Sequence, residues 1–210
     1  NNSSNYTKPL VIAGAGPTGV ELACKLADLV NNRVSICLVD KGKKILSKSK
    51  SFNREKAIDA IAERNIKTYL EYDIESINRN IIEISNLEKE RKNSLQLNYS
   101  ALLWTASLRP SSLQLVDNLL HKNKKIKVNQ FLQKNEYKNI FFVGDIIFCE
   151  NDPFPSSAQA AMQQGFLTAQ NIISLRKGNK LKPFHFEDIG EMLSLGIGNA
   201  SITGYGVTLA

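Results

Sequence analysis

The stretch VIAGAGPTGVELACKL, residues 11–26, packs Gly14, Gly16 and Gly19 into six positions directly after the apolar run Leu10–Ala13. A short apolar run ending at glycine reads as a buried parallel strand. From Pro17 the pattern changes, because Val20, Ala23, Cys24 and Ala27 recur at helical spacing and proline suits the first turn of a helix. The three glycines therefore form a GxGxxG loop between strand and helix. Their physical roles differ: one allows a tight turn, one lets the backbone approach a pyrophosphate, and one lets helix and strand pack closely. The N–H groups at the helix start would then face the phosphate charge.

By itself such a loop can be no more than a tight turn. Its context argues further, since RVSICLVD (33–40) reads as a second strand ending in Asp40, 21 positions after Gly19. That is close to the spacing of roughly 20 at which an acid accepts a hydrogen bond from an adenosine ribose. Strand, loop, helix, strand and acid agree on a dinucleotide. Asp40 favours NADH, whereas Lys41, Lys43 and Lys44 could neutralise the additional phosphate of NADPH, so both donors stay open.

The segment FNREKAIDAIAERNI (52–66) then has helical spacing, KTYLEYDIESI (67–77) and NIIEIS (80–85) read as strands, and ALLWTAS (101–107) as another buried strand. One complete nucleotide-binding domain is expected over 8–108, preceded by a linker at 1–7, and Thr105 and Ala106 lie where it closes. Further on, NIFFVGDIIF (139–148) is an apolar strand reaching Gly144-Asp145. In PFPSSAQAAMQQGFLTAQNI (153–172), Ala158, Ala161, Met162, Gly165 and Ala169 predict one apolar helix face. Gln159, Gln163 and Gln170 share another, with Ser156 or Ser157 as cap.

Composition narrows the function. With 210 residues and 42% hydrophobic content the chain can bury a core, and no run approaches the roughly 18 apolar residues of a membrane span. The start, NNSSNYTK, has no apolar signal core. Cys24, Cys37 and Cys149 form no CxxC pair, which points to a reducing compartment; two histidines exclude a histidine-rich metal site, and no cysteine/histidine zinc site is expected. The net charge of +7 gathers in KGKKILSKSK (41–50) and HKNKKIK (121–127). Without an aromatic-interleaved basic platform these read as solvated loops, and no nucleic-acid partner is expected.

The segments GAGPTGVEL, LLWTA, NIFFVGD, SSAQAAMQQG and KPFHFEDIGEMLSLGIGNASITGYG occur in order, and together they resemble type II NADH dehydrogenases, single-subunit flavoproteins that reduce membrane quinones. The last segment is most similar to their cyanobacterial and plastid branch of demethylphylloquinone reductases. The resemblance implies an α/β flavoprotein with two dinucleotide-binding domains: a Rossmann-like NAD(P)H domain, the C-terminal half of an FAD domain at 109–183, and the start of a C-terminal region at 184–210.

It also implies roles for single residues. Gly14, Gly16, Pro17, Thr18, Gly19, Asp40, Lys41, Thr105 and Ala106 match the nucleotide site. Gly144 and Asp145 match the turn whose acid holds the ribityl chain of FAD. Ala158 and Gln159 match the helix start facing the flavin pyrimidine, Gln163 and Gln164 the quinone site, and Glu21 the glutamate near the nicotinamide–flavin contact.

The cofactors implied are FAD with NADH or NADPH, and the acceptor is a membrane quinone, plastoquinone or a phylloquinone-type molecule, reduced without proton pumping. The resemblance further implies peripheral contact with the cytoplasmic face of a plasma or thylakoid membrane, and a possible homodimer. Ser107 stands where the family commonly has glycine, and only the second of the family's two glycine loops is present. An internal fragment is therefore expected, with weak FAD retention by the chain alone and an exposed apolar patch. The competing expectations are another pyridine-nucleotide flavoprotein reductase, of disulfide or ferredoxin type, and a nonenzymatic NAD(H) sensor or truncated paralogue.

Overall fold

The computed structural model describes residues 8–31, 33–87, 94–106 and 125–210. Ser107, His121, and the lysines at 122 and 124 lie outside the described residues. The chain divides into two compact units, one within residues 1–107 and 189–210, the other within 108–188.

The first unit begins with β1 (Leu10–Ala13), α1 (Pro17–Val30), β2 (Ile36–Asp40), α2 (Ser51–Glu63) and β3 (Lys67–Leu70). It continues through β4 (Tyr72–Ile77), β5 (Ile81–Asn86) and β6 (Ser94–Asn98) to β7 (Ala101–Trp104). Four strands make a parallel sheet in the order β3-β2-β1-β7, with Leu10 opposite both Ile36 and Ala101. Strands β4, β5 and β6 form an antiparallel meander.

Alternation along the two central strands explains the layers. Ile12, Ile36 and Leu38 pack with Val20, Ala23, Ala57 and Ile61 of the helices, while Val11, Cys37 and Val39 pack with Ile82 and Ile84 of the meander. A sheet covered on both faces needs near-continuous apolar strands, which LVIA and ICLV supply. This is the Rossmann-like α/β arrangement the loop predicted. The expected strand 67–77 breaks in two at Glu71, whose φ of 63° turns the chain out of the parallel sheet and into the meander.

The second unit contains β8 (Ile126–Lys127), β9 (Gln133–Lys134), β10 (Tyr137–Phe141), β11 (Ile147–Phe148) and α3 (Ala158–Arg176). Ile126, Val128, Leu132, Ile147, Cys149 and Phe184 form its core. Ser157 caps α3 by accepting the Ala160 N–H. The face of α3 differs from the expectation: Ala160, Gln164 and Asn171 are buried, whereas Met162 is 76% and Phe166 71% exposed. The reason is polar pairing, since Asn171 donates to the Lys182 carbonyl and accepts its N–H, both at 2.9 Å. A buried amide so satisfied carries little penalty. The apolar run 139–148 likewise does not form one strand. Pairing of β10 is irregular and ends at Phe141, and Ile140 and Val143 stay exposed.

The chain then forms β12 (Glu191–Ser194), β13 (Ala200–Gly204) and β14 (Val207–Leu209), an antiparallel meander within the first unit. Residues 184–210 are expected to start a separate C-terminal region, but from residue 189 the chain packs within the first unit. Leu193 and Leu195 join its helical core. Asn53, fully buried on α2, donates to the Glu191 carboxylate at 3.0 Å and to Thr203 Oγ1 at 3.2 Å, and accepts from Ser201 Oγ at 2.6 Å. Asp28 accepts from Arg64 Nε at 2.7 Å and from the Ile197 N–H at 2.6 Å.

Two outcomes follow. The Arg64 guanidinium, and after it the Ile197 N–H, hold the Asp28 carboxyl below its ordinary value. A depressed acid contributes stability that is present above its unfolded value, near 3.9, and is lost as pH falls through the folded value. Asp28→Asn is therefore expected to cost about 1–3 kcal/mol at neutral pH and to flatten the acid limb of a stability-against-pH curve measured by urea unfolding. A Cβ on Gly19 would overlap the Gly14 carbonyl oxygen and sit 2.9 Å from Thr105 Oγ1. Gly19→Ala should cost about 3 kcal/mol in the same assay, while Gly165→Ala, where a Cβ meets nothing within 4 Å, should be neutral or stabilising by about 1 kcal/mol.

Candidate functional site

The C-terminal ends of β1, β2 and β7 meet at a cavity of about 450 Å³. This is where parallel α/β sheets bind ligands, because the loops there diverge to opposite sides. Its walls are Ala13, Gly14 and Gly16 from the loop, Val39, Asp40 and Lys41 from the end of β2, Tyr72, Asp73 and Ile74 from β4, and Trp104, Thr105 and Ala106 from the end of β7.

The loop's shape follows from its glycines. Gly14 has φ of 108°, a region that side-chain-bearing residues avoid, and donates its N–H to the Val39 carbonyl at 2.8 Å. A Cβ there would lie 2.8 Å from Thr105 Oγ1 and 2.9 Å from the Ala106 nitrogen, so the end of β7 is pressed against the loop. Thr105 Oγ1 donates at 2.8 Å to the Ala13 carbonyl and closes that contact. Gly16 is the opposite case, exposed with nothing within 4 Å of a would-be Cβ. It is the N-cap of α1, and no side chain caps the helix there. Pro17 occupies the first turn and Thr18 is exposed beside it. An open backbone approach beside uncapped helix N–H groups fits a diphosphate.

Asp40 is tied into this loop. One carboxylate oxygen accepts the Ala15 N–H at 2.7 Å and the other the Gly42 N–H at 2.6 Å. A carboxylate has about four acceptor positions, so the half-buried group retains capacity for a ligand hydroxyl. Lys41 Nζ lies 2.8 Å from Asp73, and Lys43 lies 3.2 Å from Glu71. Two of the three lysines expected beside the ribose, Lys41 and Lys43, are thus matched by acids, Asp73 on β4 and Glu71 just before it. Tyr72, Asp73, Ile74 and Trp104 were not singled out from the sequence as wall residues, and only the Glu71 turn delivers the first three.

Glu21 is not among the lining residues. Its carboxylate accepts the Ser194 N–H at 2.9 Å and so ties α1 to β12. In the second unit, Gly144, with φ of 82°, donates its N–H to Gln164 Oε1 at 2.7 Å, and Gln164 is 1% exposed. Gln164 therefore braces the Gly144-Asp145 turn from inside. Asp145 and Ala158 are exposed and Gln159 is half-buried. Gln163 pairs its amide with both backbone groups of Glu187, at 2.8 and 3.0 Å. Burial pushes the Cys24 thiol up to about 11, with Cys37 raised for the same reason, so neither is a thiolate nucleophile. Among the described residues no three His, Cys, Asp or Glu side chains converge as a metal site, and no helix is long and apolar enough to cross a membrane.

Comparison with known proteins gives these features a context. The pyridine nucleotide-disulphide oxidoreductase family matches residues 2–165. The chain is 32% identical over 205 residues to demethylphylloquinone reductase NdbB of Synechocystis sp., covering 96% of this chain and 50% of that protein. It is 30% identical over 203 residues to the type II NADH:quinone oxidoreductase of Staphylococcus aureus, covering 89% and 49% respectively. The chain thus spans about half the length of these curated relatives, whose names match the resemblance read from the motifs. Among solved structures, that of NDH2 from Plasmodium falciparum in complex with NADH superposes with a TM-score of 0.84 at 14% identity, over 97% of this chain and 59% of the other. The sulfide:quinone oxidoreductase of Aquifex aeolicus gives 0.74 at 18% identity, over 93% and 50%. With its glycine loop, its closing acid and a family match over most of its length, the chain belongs to the pyridine nucleotide-disulphide oxidoreductase family.

Proposed function

We propose that this chain supplies the nicotinamide-nucleotide site of an FAD-dependent NAD(P)H:quinone oxidoreductase. The observation that carries the reading is the cavity itself: an uncapped helix start at Gly16, a glycine backbone pressed on Thr105, and Asp40 beside both. In this reading the backbone from Gly16 through Pro17, Thr18 and Gly19 receives the diphosphate, and Asp40 accepts a ribose hydroxyl. Thr105 and Ala106 wall the cavity beneath Trp104. Gly144, Asp145, Ala158 and Gln159 would lie along the flavin, and the quinone acceptor would meet Gln163 and Gln164. FAD, when bound, supplies acceptance of the hydride and its return to quinone as two electrons. The protein's contribution is orientation and charge. Glu21, which supports Ser194, would act by holding α1 in place.

NADH is the better-matched donor. Asp40 and Asp73 put two carboxylates on the cavity wall, and Lys41 is already paired with Asp73, so a 2′-phosphate would meet repulsion with little compensation. The acceptor proposed is a plastoquinone- or phylloquinone-type molecule reached by peripheral contact with the cytoplasmic face of a plasma or thylakoid membrane, with a homodimer as the assembly. The relatives named as reductases of quinones support this acceptor over a disulfide or ferredoxin.

The test is made on protein expressed from the full coding sequence. NADH should bleach the flavin absorbance, and a short-chain quinone should restore it. Asp40→Ser should lower the NADH-to-NADPH ratio of kcat/KM by about tenfold, the equivalent of one lost charged hydrogen bond. Bound flavin that NADH does not bleach would refute the enzyme reading. NADH binding without flavin would favour the sensor.

A further inference from the structure

A second cavity of the first unit shares no lining residue with the dinucleotide cavity. It holds about 310 Å³ and is lined by Lys43, Lys44, Ile45, Arg54, Ile58, Ile61, Thr68 and Leu70. Three elements build it. Helix α2 presents Arg54, Ile58 and Ile61 at spacings of four and three residues, one above another on a single face. Edge strand β3 presents Thr68 and Leu70, two residues apart and so on one side of the sheet. The loop after β2 closes the top with Lys43, Lys44 and the buried Ile45.

The chemistry of the walls is divided. The aliphatic side chains of Ile45, Ile58, Ile61 and Leu70 form the floor, and Ile58 is 51% exposed. The charged lining residues are all cations, with no acid among them. Lys43 is paired with Glu71 at 3.2 Å. Arg54 Nη1 donates to the Ser49 carbonyl at 3.2 Å, which uses one of five guanidinium N–H donors. Lys44 is exposed and has no ion-pair partner among the described residues. Rim charge therefore remains at Lys44 and Arg54.

We infer that this cavity, formed by the α2 face, the β3 edge and the lysine loop, binds a single-chain anionic amphiphile of the medium-chain carboxylate class. The aliphatic floor takes the chain, and Arg54 and Lys44 take the carboxylate. A bare phosphate has no use for the floor, and a neutral alkane has none for the rim. The volume corresponds to about ten water-sized groups at ~30 Å³ each, which suits a medium chain and is too small for a two-chain lipid.

The purified chain is titrated calorimetrically with decanoate, hexanoate, decyltrimethylammonium and inorganic phosphate, and separately with anionic phospholipid vesicles. Decanoate should bind at one saturable site, hexanoate at least about tenfold more weakly, and the cationic analogue not measurably. Arg54→Gln and Ile58→Asp should each weaken decanoate by about tenfold while NADH affinity stays unchanged, which also reports that the variants are folded. Equal binding of the cationic analogue would overturn the inference. So would binding of phosphate alone or of vesicles alone, or decanoate affinity unaltered in both variants. Because NADH is titrated in parallel, failure here is distinguishable from failure of the dinucleotide reading.

Discussion

The first unit rests on a contact that tolerates no side chain. The Gly14 carbonyl, Gly19 at the start of α1 and Thr105 at the end of β7 meet so closely that a Cβ at either glycine would collide with backbone or with the threonine hydroxyl. That contact sets how near α1 approaches the sheet. It also brings together strand ends from residues 13, 40 and 104, so that they open onto one cavity. Asp40 completes the arrangement by bonding to Ala15 within the loop and to Gly42 beyond the strand. The acid read as a ligand-binding residue is thus also the brace of its own loop, and preorganisation of this kind reduces the ordering that binding must supply.

Much of this was legible in the sequence because it is local or periodic. The glycine spacing, the proline at the first turn, the helical recurrence of Val20, Ala23, Cys24 and Ala27, and the two apolar strands all lie within about thirty residues, and each has a direct physical meaning. What escaped depends on long-range pairing. Nothing near Asn53 announces that its amide will be buried against Glu191, Ser201 and Thr203. The Asp28–Arg64–Ile197 junction is equally silent until the chain ends are folded together. Helix α3 illustrates the reverse error. Small and apolar residues suggested a buried face, yet Gln164 and Asn171 turn inward because each amide finds backbone partners. The Glu71 turn carries no glycine or proline to mark it, but it is what delivers Tyr72, Asp73 and Ile74 to the cavity.

Charge is distributed with similar economy. The lysine-rich loop after β2 looked like one basic patch, but its members separate. Lys41 pairs with Asp73 at the dinucleotide cavity, Lys43 pairs with Glu71, and Lys44 faces the neighbouring apolar cavity. Leu46, buried with a φ of 48°, anchors the loop by donating to the Ala15 carbonyl at 2.8 Å. The loop is therefore held to the glycine turn directly through Leu46 and, by way of Asp40, through Gly42.

The central claim, that the cavity at the ends of β1, β2 and β7 binds a reduced nicotinamide nucleotide, can be tested with a natural probe. Trp104 is the chain's single tryptophan, lines that cavity and is 58% exposed. Its fluorescence should be quenched saturably by NADH, with energy transfer to the dihydronicotinamide, and the effect should vanish in Gly16→Val, where a side chain would fill the open approach to the loop. Unsaturable quenching of the same size in both proteins would contradict the assignment.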